Sequence, residues 1–250
     1  MKAHDMDAFD VQYVVENGIE RVSYLPRQRR FETPFLMQHG MWHGAWCWRH
    51  WQELFAEWGW ESHAFSLPGH AGSSTKRPVY FCTLSYYLRF LKVEAERLPR
   101  KPVLMGHSMG GALTQWYLKH VGDDLPAAVF VAPWASHKTT DAEERRRWFR
   151  LDPLGLLLGM FTGSTRPFIR NPKVAAKKLI SPKAIISPEE LHAQLSPESA
   201  WVMVQHNPPF WYPPEQVKTP MLWLAREKDA VIGVETERKS AEYYSADFKV

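Results

Sequence analysis

Gly106-His107-Ser108-Met109-Gly110, followed by Gly111, sets one serine between glycines where an apolar run ends and a helical pattern begins. A serine at such a junction has the setting of a nucleophile, because a sharp, strained turn lifts its hydroxyl above the carboxyl edge of a sheet. Gly106 and Gly110 leave room where a side chain would collide with neighbouring backbone. The start of the following helix also points backbone N–H groups at negative charge forming beside the serine. His39-Gly40-Met41-Trp42-His43-Gly44 closes an earlier apolar run and is the second chemical signal. Acyl transfer through a serine needs two backbone donors for the tetrahedral oxyanion. Met109 supplies one; the loop after the upstream strand supplies the other, with Met41 the first choice and Trp42 the reserve. The plain alternative for 39–44 is a glycine-containing turn, and the order of the two motifs along the chain weighs against it.

Both motifs need a sheet to carry them, and the pattern around them supplies one. Val11 to Val15 and Ile19 to Leu25 are strand-like runs separated by Glu16-Asn17-Gly18, a tight-hairpin signal that pairs them antiparallel. Pro34 to Gln38, Ser62 to Leu67, Pro102 to Met105 and Ala127 to Ala132 are short apolar strands. Between them, Trp48 to Trp58, Leu84 to Leu98 and Met109 to about Val121 repeat apolar residues at helical spacing. Strands alternating with helices imply right-handed crossovers and an α/β fold: a mostly parallel sheet with helices on both faces. The alternation breaks over 134–216, which holds helical pieces and prolines (Pro182, Pro188, Pro197) but no convincing strand. It resumes at Pro220 to Leu224, a helix from Val234 to Tyr244 and the strand-like Asp247 to Val250. Residues 1–133 and 217–250 therefore read as a core, and 134–216 as a helical cap inserted after the sixth strand.

Composition narrows the class. The 250 residues are 45% hydrophobic and 23% charged, which fits a core-forming α/β chain and not a disordered or fibrous one. Cys47 and Cys82 are too few for a disulfide framework and too far apart for a zinc site, so no metal is expected. The net charge is only +4, and the basic groups at Arg27–Arg30, Arg145–Arg147 and Lys177–Lys178 are dispersed, with no recognition motif for nucleic acid. The polar start, Met1 to Asp10, lacks the apolar heart of a secretory signal. Leu154 to Phe161 is far shorter than the roughly 20 residues that span a bilayer. These features predict a soluble, cytoplasmic protein without a membrane span. The tryptophans crowded at 42, 46, 48, 51, 58 and 60 read either as core packing or as an aromatic wall beside a pocket.

With these motifs in place, the chain resembles the α/β-hydrolase family, in the large group whose cap follows the sixth strand. The esterase and lysophospholipase branch is the nearest in character. Leu67-Pro68-Gly69-His70-Ala71-Gly72-Ser73 resembles the family's D-x-x-G-x-G-x-S turn, with Ser66 where the family often has Asp and Ala71 breaking the spacing. The resemblance implies the triad order serine, acid, histidine. Arg226-Glu227-Lys228-Asp229-Ala230-Val231 resembles the acid-bearing segment and makes Asp229 the acid, whose role would be to orient and stabilise an imidazole. Asp123, Asp124 and Asp141 fit less well, since none directly follows a strand end.

No histidine follows His206, so all eleven lie upstream of the acid. Three arrangements answer to this: a truncated chain lacking the last strand and helix, a recruited base (His39, His43, His137 or His206, with His107 expected to point away), or a non-catalytic relative that only binds ligands. A serine without a base is a poor nucleophile near neutral pH, so impaired activity is expected. Within the resemblance, a serine nucleophile excludes the aspartate-dependent branches. It implies a serine hydrolase cleaving carboxylic esters of a hydrophobic small molecule through an acyl-enzyme, without metal or organic cofactor. C–C bond hydrolysis or lysis on the same fold is the alternative chemistry. The pocket is expected to involve Trp42, His43, His107 and Trp134, with apolar cap residues at 154–161, Trp201, Phe210 and Trp211.

Overall fold

Asn17 and Gly18 both take positive φ (53° and 77°), as a two-residue hairpin turn with the right twist requires. They join Phe9–Glu16 (β1) to Ile19–Pro26 (β2) in antiparallel register, from Phe9 opposite Pro26 to Glu16 opposite Ile19. The structure, a computed structural model, describes residues 8–137, 142–162 and 164–250. Asp141 and most of the polar start lie outside them.

The remaining strands are Phe35–Gln38 (β3), Ser62–Phe65 (β4), Val103–His107 (β5), Ala128–Val131 (β6), Met221–Leu224 (β7) and Asp247–Lys249 (β8). Their order across the sheet is β1-β2-β4-β3-β5-β6-β7-β8, antiparallel as far as the β2–β4 pairing and parallel from β4 onward. This is the α/β architecture expected from the alternation. Strand β3 lies between β4 on one side and β5 on the other, so the chain order reverses there. In open parallel sheets ligands bind in the crevice at the carboxyl ends of the strands flanking such a reversal. Both sequence motifs emerge from those two strand ends.

Alternation along the strands splits the core into two layers. Leu36 and Leu104 face one cluster with Phe130, Trp223 and Trp116, whereas Met37 and Met105 face a second with Trp48, Phe55 and Ala64. Arg49–Glu57 (α1) covers the second cluster, preceded by a 3₁₀ turn at Ala45–Trp48 where the sequence suggested a continuous helix from Trp48. Leu84–Arg97 (α2) and Met109–His120 (α3) pack on the first. The tryptophan run divides accordingly: Trp48 is core, Trp51 and Trp58 are partly exposed around Phe55, and Trp42 is buried in the first cluster.

Residues between β6 and β7 form Ala142–Leu151 (α4), Pro153–Thr162 (α5), Pro172–Leu179 (α6), Pro188–Gln194 (α7) and Trp201–Gln205 (α8); Val234–Tyr243 (α9) follows β7. Pro172 and Pro188 stand in the first turns of their helices, behind Asn171 and Ser187 as side-chain caps. Ser187 and Glu190 complete a reciprocal capping box. One buried carboxylate ties this segment together. Asp152 accepts from Arg170 Nη1 and Nη2 (2.8 and 2.9 Å), Lys178 Nζ (2.6 Å) and the Gly155 N–H (2.9 Å). Burial alone would raise its pKa, but the hydrogen bonds from Arg170, Lys178 and Gly155 outweigh that and hold the carboxyl well below the usual carboxylate range. A depressed folded-state pKa adds stability above the unfolded-state value that is lost as pH falls toward the folded one. The melting temperature is therefore expected to drop on acidification below about pH 4. Asp152→Asn should melt lower at pH 7 and show a shallower acid limb, read by thermal melts across the acid range.

Candidate active site

Ser108 sits between β5 and α3 with φ 53° and ψ −117°, a left-handed backbone that side chains other than glycine rarely adopt. The turn is forced by crowding: a Cβ on Gly110 would lie 2.2 Å from the Gln38 carbonyl oxygen, and one on Gly106 would lie 2.4 Å from that of Gly110. The elbow thus packs backbone to backbone against the end of β3. The loop leaving β3 crosses the serine closely enough that a Cβ on Gly40 would be 3.0 Å from Ser108 Cβ.

That proximity brings unspent donors together. The Ser108 carbonyl accepts from Gly111 and Ala112 N–H (2.9 and 3.2 Å), but the Met109 N–H has no partner among the described residues. Met109 is fully buried, so water does not compensate for it. The Met41 and Trp42 N–H groups likewise have no partner among the described residues. Buried orphan N–H groups are rare, and these lie on the two segments that meet at Ser108. Trp42, at φ 65°, is held from the far side: its carbonyl accepts from Ser196 N–H (2.8 Å) and its indole N–H donates to Thr165 Oγ1 (3.0 Å).

Asp229 occupies the loop after β7. Its Oδ1 accepts from the Val231 and Ile232 N–H groups, both at 2.8 Å, which fixes the carboxylate; the nearest cation, Arg226 Nη1, is 3.9 Å from Oδ2. Asp123 and Asp124 lie elsewhere, accepting from Lys218 N–H and pairing with Lys101.

A cavity of about 530 Å³ is lined by Ser108, Met41, Trp42, His43, His107, Trp134 and Asp229 together with residues of α4, α5 and α6, whereas the fully buried Met109 is not among its lining residues. Trp201 and Phe210 are instead exposed, and Trp211 is buried against Trp116 and His206, so these three lie outside the lining. Residues that the sequence did not single out (Trp148, Phe168, Met203 and Ile232) complete the apolar wall. They come from the segment between β6 and β7 and from the Asp229 loop, where spacing carries no signal of which face turns inward.

The histidines divide by their partners. His39 is fully spent, with Nδ1 on the Gly40 carbonyl (2.8 Å) and Nε2 accepting from Leu67 N–H (3.0 Å). His206 is spent on the Ala135 carbonyl (2.8 Å) and Trp116 Nε1 (3.1 Å). His137 stacks edge-on against Tyr243. His43 and His107 line the cavity; His43 uses Nδ1 on the Met41 carbonyl (2.7 Å) and keeps Nε2 free of any partner among the described residues. Burial lowers both pKa values, with His43 and Arg226 adding to the effect on His107, which falls to about 3. Both are neutral at pH 7. Among the described residues no histidine bonds to Ser108 Oγ or to Asp229.

The glycine-rich turn at 67–73 keeps its shape despite its departures. Ser66 Oγ donates to Glu20 and accepts from Ala45 N–H (2.8 Å), and Ala71 takes φ 44°.

A model of the alpha/beta hydrolase family matches residues 35–249. Among characterised relatives, Norfluorocurarine synthase 1 of Strychnos nux-vomica is 37% identical over 100 residues, 39% of this chain and 37% of its own. Methylesterase 2 of Arabidopsis thaliana is 30% identical over 116 residues, 44% of each chain. Esterase PIR7B of Oryza sativa subsp. japonica is 33% identical over 131 residues, 50% of this chain and 48% of its own. The chain thus spans less than half the length of each of these relatives. Among solved structures, the monoacylglycerol lipase of Paleococcus ferrophilus superposes with a TM-score of 0.59 at 22% identity, covering 92% of this chain and 86% of that one.

Proposed function

The chain belongs to the alpha/beta hydrolase family, and from that premise we propose that it is a serine hydrolase cleaving carboxylic esters of a hydrophobic small molecule through an acyl-enzyme. The observation that carries this reading is Ser108 in a strained left-handed turn beside the orphan N–H groups of Met41 and Met109. Esterase names among the relatives agree with it.

Ser108 Oγ attacks the ester carbonyl carbon and passes its proton to a base from solution such as added imidazole, while the carbonyl oxygen takes the negative charge between the Met41 and Met109 N–H groups. Collapse breaks the bond to the alcohol, which leaves with the proton. Water then attacks the acyl-serine by the same route, releasing the acid and restoring the hydroxyl. Asp229, fixed through Oδ1, offers Oδ2 to orient the base. The apolar lining suits a hydrophobic acyl or alcohol group, and the helices between β6 and β7 act as the cap over it.

Among the described residues no histidine bonds to Ser108 or Asp229, so the 250 residues are expected to turn over slowly and to respond to an added base. Incubation with a fluorophosphonate probe should add one mass increment that maps to Ser108, and p-nitrophenyl ester turnover should rise with exogenous imidazole. Specific binding of a small ester with neither labelling nor turnover would instead identify a ligand-binding relative.

A further inference from the structure

Helix α5, Pro153-Leu-Gly-Leu-Leu-Leu-Gly-Met-Phe-Thr162, is apolar all round, a pattern that belongs to a buried helix or one in lipid. Here it is uncovered. Met160 is 83% exposed, Phe161 82%, Leu157 53% and Leu154 51%, and Phe149 at the end of α4 is 65% exposed. Single exposed apolar residues need no explanation, but a contiguous set does. Its two stripes have different destinations. Pro153, Leu156, Leu157 and Met160, spaced three and four apart, line the cavity, so α5 forms its rim. Leu154, Leu158 and Phe161 form the adjoining stripe and face outward.

Basic residues outnumber acidic ones along this rim, beyond Glu143 and Glu144 in the first turn of α4. From Arg146 to Lys183 the sequence holds nine basic residues and a single acidic one, Asp152. Asp152 is buried and already shared by Arg170 and Lys178, so it offsets nothing at the surface. Arg146, Arg150 and Arg166 are exposed. Apolar residues beside a belt of arginines match the chemistry of an anionic lipid surface, whose acyl region takes the first and whose headgroups take the second.

We propose that the exposed face of α5, with Phe149 and the arginines at 146, 150 and 166, docks this protein on an anionic phospholipid bilayer. Ten residues of helix extend about 15 Å, half a bilayer's apolar thickness, so α5 lies in the interface and does not cross it. Because Leu157 and Met160 belong to both the exposed patch and the cavity, a hydrophobic ligand would pass from bilayer to cavity without entering water. The docking rests on the surface of the cap alone, so Ser108→Ala binds vesicles equally well whether or not the hydrolase reading holds.

Flotation of the 250-residue chain with vesicles tests this. Vesicles of phosphatidylcholine with about one-third phosphatidylglycerol should carry roughly tenfold more protein than phosphatidylcholine alone, and high salt should remove most of that gain. The double variant Met160→Ser/Phe161→Ser should float roughly tenfold less with its melting temperature unchanged, since both side chains are already in solvent. The triple variant Arg146→Glu/Arg150→Glu/Arg166→Glu should lose the preference for anionic vesicles. No flotation, equal flotation with both compositions, or a dimer in light scattering that the Met160→Ser/Phe161→Ser change dissolves would each overturn the proposal.

Discussion

Ser108→Gly should abolish probe labelling and the imidazole-stimulated ester turnover, while leaving the protein about 1 kcal/mol more stable. The two effects come from one geometric fact. At φ 53° and ψ −117° a serine pays for its position above the sheet edge, with strain of order 1–3 kcal/mol that glycine does not share. Glycine's greater freedom in the unfolded chain returns part of that gain, which is why about 1 kcal/mol is expected, or about 2–4 °C in melting temperature for a chain of this size. Removing the hydroxyl removes the only atom that can form the acyl bond. A serine that merely capped α3 would behave oppositely, because losing a cap costs stability; Ser108 makes no such side-chain bond. Loss of stability in Ser108→Gly, or retained turnover, would show that the elbow is not the reactive centre.

The elbow was legible because the chemistry that demands it is local. A serine in a left-handed turn with backbone packed on both sides needs glycines at 106 and 110, and no distant residue can substitute for them. The same holds for the hairpin, where Asn17 and Gly18 alone set the turn, and for the buried strands, whose apolar runs are bounded by turns. Residues 134–216 are different. Their helices start at recognisable caps such as Asn171 and Ser187, yet which faces meet the cavity depends on long-range packing. Trp201 and Phe210 are as apolar as Trp148 and Phe168, and the sequence favoured the former pair, but only the latter pair turns inward. The charged cluster on Asp152 was invisible for the same reason: Arg170 and Lys178 are 18 and 26 positions away from it. Nor did the spacing reveal that Ser66, standing where the family often has an acid, would borrow the carboxylate of Glu20 from across the sheet.

Glu198→Ala should destabilise the fold by about 1–3 kcal/mol, the usual cost of leaving buried polar groups without their hydrogen-bond partner. Glu198 and His70 are both fully buried, with Oε2 and Nε2 3.1 Å apart but not aligned as a hydrogen bond. Oε1 accepts from the Tyr87 hydroxyl (3.0 Å) and the Ser199 N–H (2.7 Å). Burial and the neighbouring carboxylate raise the Tyr87 pKa, so its phenol stays protonated and remains the donor. Alanine would take the Oε1 acceptor from the Tyr87 hydroxyl and the Ser199 N–H, in a place water does not reach. The serine's neighbourhood is braced separately. The Glu198 backbone carbonyl, which alanine keeps, accepts from Thr165 Oγ1 (2.7 Å), and Thr165 Oγ1 in turn accepts from the Trp42 indole beside Met41. A melting temperature lower by about 2–12 °C is expected, with Ser108 labelled at close to the parent rate at temperatures where the variant is still folded. Glu198→Gln, which keeps an acceptor for the Tyr87 hydroxyl and the shape, should recover most of the stability. If Glu198→Ala melts within a degree of the parent, the cap is held by its apolar contacts and the buried pair contributes no net stability.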